Sequence, residues 1–166
     1  MPSPLDRKKK FLLWAALASA IVAADQWTKL IIMEHFRLGD SVEVTSFFNL
    51  VRAHNTGAAF SMLADAGGWQ HWLFIGIAFA VAVFILIMLW RQSEERMLSL
   101  ALSLVLGGAI GNLIDRLMHG YVVDFLNFHW ANSHFPAFNL ADTAICIGAG
   151  LIILSELIQI RKHKST

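Results

Sequence analysis

A single cysteine in 166 residues excludes an intrachain disulfide framework and any cysteine-rich metal site. Charge is scarce too: Asp, Glu, Lys and Arg make up 15% of the chain, where a soluble domain carries about a quarter. Three prolines and eleven glycines are too few for a disordered or low-complexity chain, and no tandem repeat is visible. No HExxH pattern is present for a zinc peptidase, and no GxSxG elbow for a serine hydrolase. His129 and His134 stand five apart, a spacing with no metal-binding precedent among those patterns, so neither a metal nor another cofactor is expected. Cys146 lies in an apolar stretch with no charged neighbour nearer than Asp142, and reads as an inert core residue rather than a nucleophile.

What fills the chain instead is apolar sequence. Hydrophobic residues account for 57% and the mean hydropathy is +0.58. These values describe an integral membrane protein. Four runs are long enough to span a hydrocarbon core of about 30 Å: residues 11–33, 70–90, 97–117 and 139–160. The basic head Arg7 to Lys10 and the small residues from Ala18 to Ala24 also suit a cleaved signal peptide. Apolar character resumes at Leu30 to Met33, however, so a retained span is expected. Trp69, Trp72 and Trp90 bracket the second run as an interfacial aromatic belt would. Gly107, Gly108 and Gly111 in the third permit close helix approach. RQSEER (91–96) reads as a polar turn. Residues 34–69 hold one or two short strands that need the bilayer surface or the helices for support. The aromatic stretch 125–135 between the third and fourth runs suits an interfacial loop. The expected fold is thus an all-α membrane protein forming one domain, 1–166, with four helices, a small β-rich segment between helices 1 and 2, and a loop between helices 3 and 4.

Lys and Arg set the orientation. The two tails and the 91–96 turn carry Arg7, Lys8, Lys9, Lys10, Arg91, Arg96, Arg161, Lys162 and Lys164, while the opposite connections carry only Arg37 and Arg52. Both termini are expected on the cytoplasmic side. Asp124 then follows the outward end of the third span and Asp142 opens the fourth, at similar depth on the far side.

Ionisable groups near membrane depth are functional candidates by default. Two facing aspartates share one proton, because neighbouring like charges raise one pKa. The ionised member can take a proton from water as it attacks an amide carbonyl, while the protonated member polarises that carbonyl. The plain alternative is that Asp142 caps helix four and Asp124 sits in a solvated loop. Asp25 and Lys29, four apart, read as a structural polar pair. Asn112 and Arg116 share a helical face beside Asp115, either as a structural group or in contact with substrate. A small transporter with a polar path and a non-catalytic assembly factor are the rival functional classes. The one-sided clustering of polar groups and the lack of repeats speak against the first, and no partner surface is evident for the second.

Five motifs then appear in order: DQWTK (25–29), NTGAAF (55–60), GGAIGNLIDR (107–116), GYVVDF (120–125) and FNLADTAICIG (138–148). Together they resemble the lipoprotein signal peptidase family, bacterial signal peptidase II, across essentially the whole chain. The resemblance implies an aspartic endopeptidase of the bacterial inner membrane that removes the signal peptide from prolipoproteins, cutting before the diacylglyceryl-modified cysteine. Asp124 and Asp142 match the catalytic dyad. Asn55, Gly57, Asn112, Asp115, Arg116, Asn139 and Ala141 fall in motifs that bind substrate or support the site, and Asp25 with Lys29 matches a structural pair. The implied partners are the lipidated prolipoprotein, membrane lipid and globomycin-type cyclic peptides. A monomer is expected, and no nucleic acid. The stretches 61–75 and 127–137 match no motif. An aromatic and strand-like clamp on the lipidated peptide is expected from 34–69 and 125–135.

Overall fold

The computed structural model describes residues 4–56, 69–130 and 133–164. Four helices, α1 (Pro4–His35), α2 (Trp69–Gln92), α3 (Arg96–His119) and α4 (Leu140–Lys164), are each long and apolar enough to cross a membrane. α1 and α4 extend beyond the apolar runs read from sequence. Their extra turns are basic, and Lys and Arg are good helix formers once apolar propagation has begun. Lys10 also ion-pairs with Glu94 in the turn between α2 and α3, and Phe11 packs edge-on against Trp90. That turn is shorter than the RQSEER reading, because Arg91 and Gln92 complete α2 and Arg96 opens α3.

α3 is the central helix. Its buried residues run from Leu98 to Asp115, whereas the other three turn most of their side chains outward, as helices facing lipid do. Leu98, Leu102 and Leu106 pack with Ala18, Ile85 and Leu89 in one apolar cluster. Further along, glycines let the neighbours approach. A Cβ on Gly108 would overlap the Ala141 carbonyl of α4, and one on Gly111 would lie 2.5 Å from Oδ2 of Asp25 on α1. The small-residue expectation holds here for a polar reason as well: Gly111 makes room for a carboxylate. Gly111→Ala is therefore expected to destabilise by roughly 1–3 kcal/mol. Gly76→Ala, a helix-interior position with nothing near its new methyl, should leave stability unchanged or raise it by up to about 1 kcal/mol. Thermal unfolding in detergent compares the two.

The second layer is a small antiparallel sheet in the order β1-β2-β3-β4, built from Ser41–Thr45, Phe48–Asn55, Val122–Trp130 and Ser133–His134. β1 and β2 fall where strands were expected. Where a loop was expected between α3 and α4, Val122–Trp130 instead forms β3 and pairs along β2, with Asn55 opposite Val122 and Ala53 opposite Asp124. Two short strands alone bury too little, and a third from the far connection supplies the missing partner. Gly120, at φ +81°, ends α3 in the left-handed conformation that favours glycine. Its N–H bonds back to the Arg116 carbonyl, and the chain turns into β3. The inner end of β3 is buried: Val123 and Phe125 pack with Ile32 of α1. The sheet therefore sits on the helix ends where α1 finishes and α4 begins.

Candidate active site

Asp124 lies in the buried part of β3, 3% exposed, and Asp142 is in the first turn of α4. Both carboxylates line one cavity of about 720 Å³, with Asn55, Asn112, Arg116 and Phe138 also on its wall. One residue bridges the two acids. Asn139 is fully buried and donates from Nδ2 to Oδ1 of Asp124 at 2.8 Å. Its Oδ1 accepts the Asp142 N–H at 2.9 Å, and its own N–H donates to Oδ2 of Asp142 at 3.3 Å. The last two bonds form a reciprocal capping box at the start of α4. The capping expectation for Asp142 therefore holds, but Asp124 is not in a solvated loop: it is buried in β3 and bonded to the same asparagine that completes the cap.

The remaining oxygens are also held. Asn55, at the end of β2, donates from Nδ2 to Oδ2 of Asp124 at 3.1 Å. Asn112 donates to Oδ1 of Asp142 at 2.8 Å. Arg116 reaches the Asn112 carbonyl at 3.4 Å and lies 5.5 Å from the centre of the Phe74 ring, placing its cation on the cavity wall. Burial, reinforced by the negative charge of Asp142, pushes the Asp124 carboxyl up to about 7. The Asp124 carboxyl can therefore hold a proton near neutral pH.

A second polar cluster backs the first. Lys29, 1% exposed, ion-pairs with Asp25 at 2.8 Å and with Asp115 at 2.9 Å, and donates to Oδ1 of Asn112 at 3.0 Å. The expected Asp25–Lys29 pair is real, and it has a third member from α3. Asp115 accepts the Val123 N–H at 3.0 Å, and Asp25 accepts the Ala141 N–H at 2.9 Å. Asp115, Asn139 and Ala141 thus stand behind the cavity, while Asn55, Asn112 and Arg116 face it. Gly57 lies outside the described residues, as does most of the 61–75 stretch.

Residues 17–158 match the family described as Signal peptidase (SPase) II. The chain belongs to that family. Among its relatives, the lipoprotein signal peptidase of Cupriavidus necator is 53% identical over 152 residues, covering 92% of this chain and 87% of that one. That of Shewanella sediminis is 52% identical over 163 residues, covering 98% and 93%. A solved bacterial membrane enzyme structure, 33% identical, superposes with a TM-score of 0.80 over 89% of each chain. Members of the signal peptidase II family are peptidases, and the fold seen here is that of a bacterial membrane enzyme.

Of three further residues in or behind this cavity, one was misread and two were given no role. Cys146 is exposed and lines the cavity, so the expectation of a core residue is corrected. In a membrane helix an apolar neighbourhood marks a lipid- or cavity-facing side as readily as a core. His54, on β2, also lines the cavity and stacks on Tyr121 with ring centres 3.6 Å apart. Burial, then the nearby Arg52 charge, holds its pKa below the ordinary histidine value. Gln26 donates to Asp115 at 2.8 Å and to the Gly111 carbonyl at 3.1 Å. Its signal was available: an amide inside a membrane span needs partners.

Proposed function

We propose that the chain is an aspartic endopeptidase that removes the signal peptide from prolipoproteins, cutting on the N-terminal side of the diacylglyceryl-modified cysteine. The observation that carries this reading is the pair Asp124 and Asp142 on one cavity wall, bridged by Asn139, with one carboxyl raised to about 7. Asp124 is the acid and Asp142 the base. Asp142 takes a proton from water as the water oxygen attacks the scissile carbonyl carbon, and Asp124 gives its proton to the carbonyl oxygen. The tetrahedral diol then collapses. Asp142 passes its proton to the departing amine, Asp124 recovers a proton from the diol, and the C–N bond breaks. Neither a metal nor a covalent intermediate is required.

The cavity suits this substrate. It opens beside the exposed apolar face of α4, where Ile147 and Cys146 line it, so a signal helix and acyl chains can enter sideways from lipid. Phe135 and Phe138 close the sheet side, and Phe128 stacks on Phe138 with centres 5.9 Å apart. These rings form the aromatic clamp on the lipidated peptide. Cyclic peptides of the globomycin type occupy the same cavity, and the enzyme works as a monomer. The basic tails favour a topology with both termini in the cytoplasm and the dyad at the outer face of the inner membrane.

The test is cleavage of a purified diacylglyceryl prolipoprotein in detergent, with product mass identifying the bond cut. Activity should need one protonated carboxyl, so kcat should fall as pH rises through about 7, where Asp124 ionises. A product whose new N-terminus is any residue other than the lipidated cysteine would refute the assignment, as would a rate that stays flat up to pH 9.

A further inference from the structure

We infer that the buried Asp25–Lys29–Asp115 cluster is a positioning device for the reaction, setting the separation of the two catalytic carboxylates by gripping the backbone one residue before each. This rests on the reading of Asp124 and Asp142 as the catalytic pair. None of the three cluster residues lines the cavity, so none can act on substrate directly.

The cluster's bonds run to the backbone beside each acid. Asp25 receives only donors: the Ala141 N–H at 2.9 Å, Lys29 at 2.8 Å and Gln26 at 3.3 Å. Asp115 likewise receives the Val123 N–H at 3.0 Å, Lys29 at 2.9 Å and Gln26 at 2.8 Å. An ion pair that served only to join helices would have no reason to choose its backbone partners. Here both backbone donors immediately precede a dyad member: Val123 before Asp124, and Ala141 before Asp142. The Ala141 N–H belongs to the first turn of α4, where no carbonyl of the same helix can accept it. The Asp25 carboxylate therefore sets the height at which α4 begins. Asp115 does the same for the inner end of β3.

Lys29 supplies a third link. An ammonium has three donors and no acceptor, and its three partners are Asp25, Asp115 and Oδ1 of Asn112. Because Lys29 takes the amide oxygen, Asn112 must turn its NH2 towards Asp142, which it meets at 2.8 Å. The rigid side of the cluster is set by Gly111, whose missing Cβ leaves space for the Asp25 carboxylate. Both backbone grips and the asparagine orientation thus trace to three charges on α1 and α3. A misplacement of about 1 Å in such a site lowers rate by roughly 100-fold.

Asp25→Asn and Gln26→Met test the device in the full-length enzyme. An amide at position 25 cannot accept from every donor around it, so one grip is lost. Methionine at 26 removes the amide that bridges the two carboxylates while leaving all charges in place. The expected result for Asp25→Asn is a fall in kcat of roughly 100-fold with KM within about twofold. The alkaline limb of kcat should also move to lower pH. Asp124 is faced by Asp142 from α4, by Lys29 from α1 and by Arg116 from α3. A wider dyad weakens the push of Asp142 and lets Asp124 ionise sooner. Gln26→Met should show the same two changes with a smaller drop, about 10-fold. It decides the matter alone if Asp25→Asn does not fold. Wild-type kcat and an unmoved alkaline limb in the folded variants would overturn the inference, as would changes confined to thermal stability. Asp124→Asn and Asp142→Asn, assayed in parallel, keep the two ideas separate. Activity surviving there sinks the dyad itself, whereas its loss there beside normal Asp25→Asn and Gln26→Met enzymes sinks only the positioning role.

Discussion

Asp124→Asn and Asp142→Asn should each lose cleavage of diacylglyceryl prolipoprotein by roughly 10⁴-fold or more in kcat, with the fold retained. Each substitution keeps side-chain size. At position 142 the amide leaves no base to take the proton of the attacking water. At position 124 it leaves no acid for the carbonyl oxygen. The side chains hydrogen-bonded to the two carboxylates are the amides of Asn55, Asn112 and Asn139, none of which can take or give the proton in their place. A variant at either position that cleaves at the wild-type rate would end the two-acid mechanism.

The Asp124 substitution also has a stability signature. The folded carboxyl is raised from 3.8 to about 7 by burial and by the Asp142 charge. A raised group contributes its full stabilisation below the unfolded value, and that contribution is lost as pH rises through the folded one. Wild-type thermal stability should therefore decline between about pH 4 and 7 by an amount that Asp124→Asn does not show, because asparagine has no proton to lose. Paired melting curves at pH 4 and pH 8 measure the difference.

Asn139→Ala carries the second-largest expected effect, roughly 10²- to 10³-fold in kcat. The side chain gives Asp124 one of its two asparagine donors and caps α4 through the Asp142 N–H. Its removal frees the proton-holding carboxyl to turn away and leaves the helix start unsatisfied, at about 1–2 kcal/mol. The two losses can be told apart. Asn139→Ser restores a capping oxygen, since serine is a strong N-cap, but its hydroxyl is too short to reach Asp124. Stability should return towards wild type while kcat stays low. Recovery of both in the serine variant would show that the asparagine matters only as a cap.

Apolar run length and the placement of basic residues made the four spans legible, because a bilayer imposes a length and allows few charges. Helix ends were less legible. Arg7 to Lys10 look like a flanking cluster, yet they continue α1, since helical propagation does not stop where lipid does. β3 was missed for another reason. Val122 to Phe128 pairs with β2, more than sixty residues earlier, and only His129 and Trp130 pair with the neighbouring β4, so nothing local declares the main partner. The site divides in the same way. Asp124, Asp142, Asn112 and Asn139 stand out in sequence because polar groups are rare near membrane depth. Gln26 and His54 were passed over and Cys146 was misread as core, since their positions depend on what faces them.

The sequence by itself determined a four-span membrane protein, its two candidate acids and its family, because composition, run length and motif order are properties of the chain alone. Only the tertiary structure decided that Asn139 lies between those acids, that β2 brings Asn55 to Asp124, and that Asp25 and Asp115 hold the backbone beside each one. Such facts are distances between residues up to 116 positions apart. Among the helices they are set by how closely α1, α3 and α4 approach across Gly108 and Gly111; the glycines are visible in the sequence, but which neighbour fills the space beside each is not.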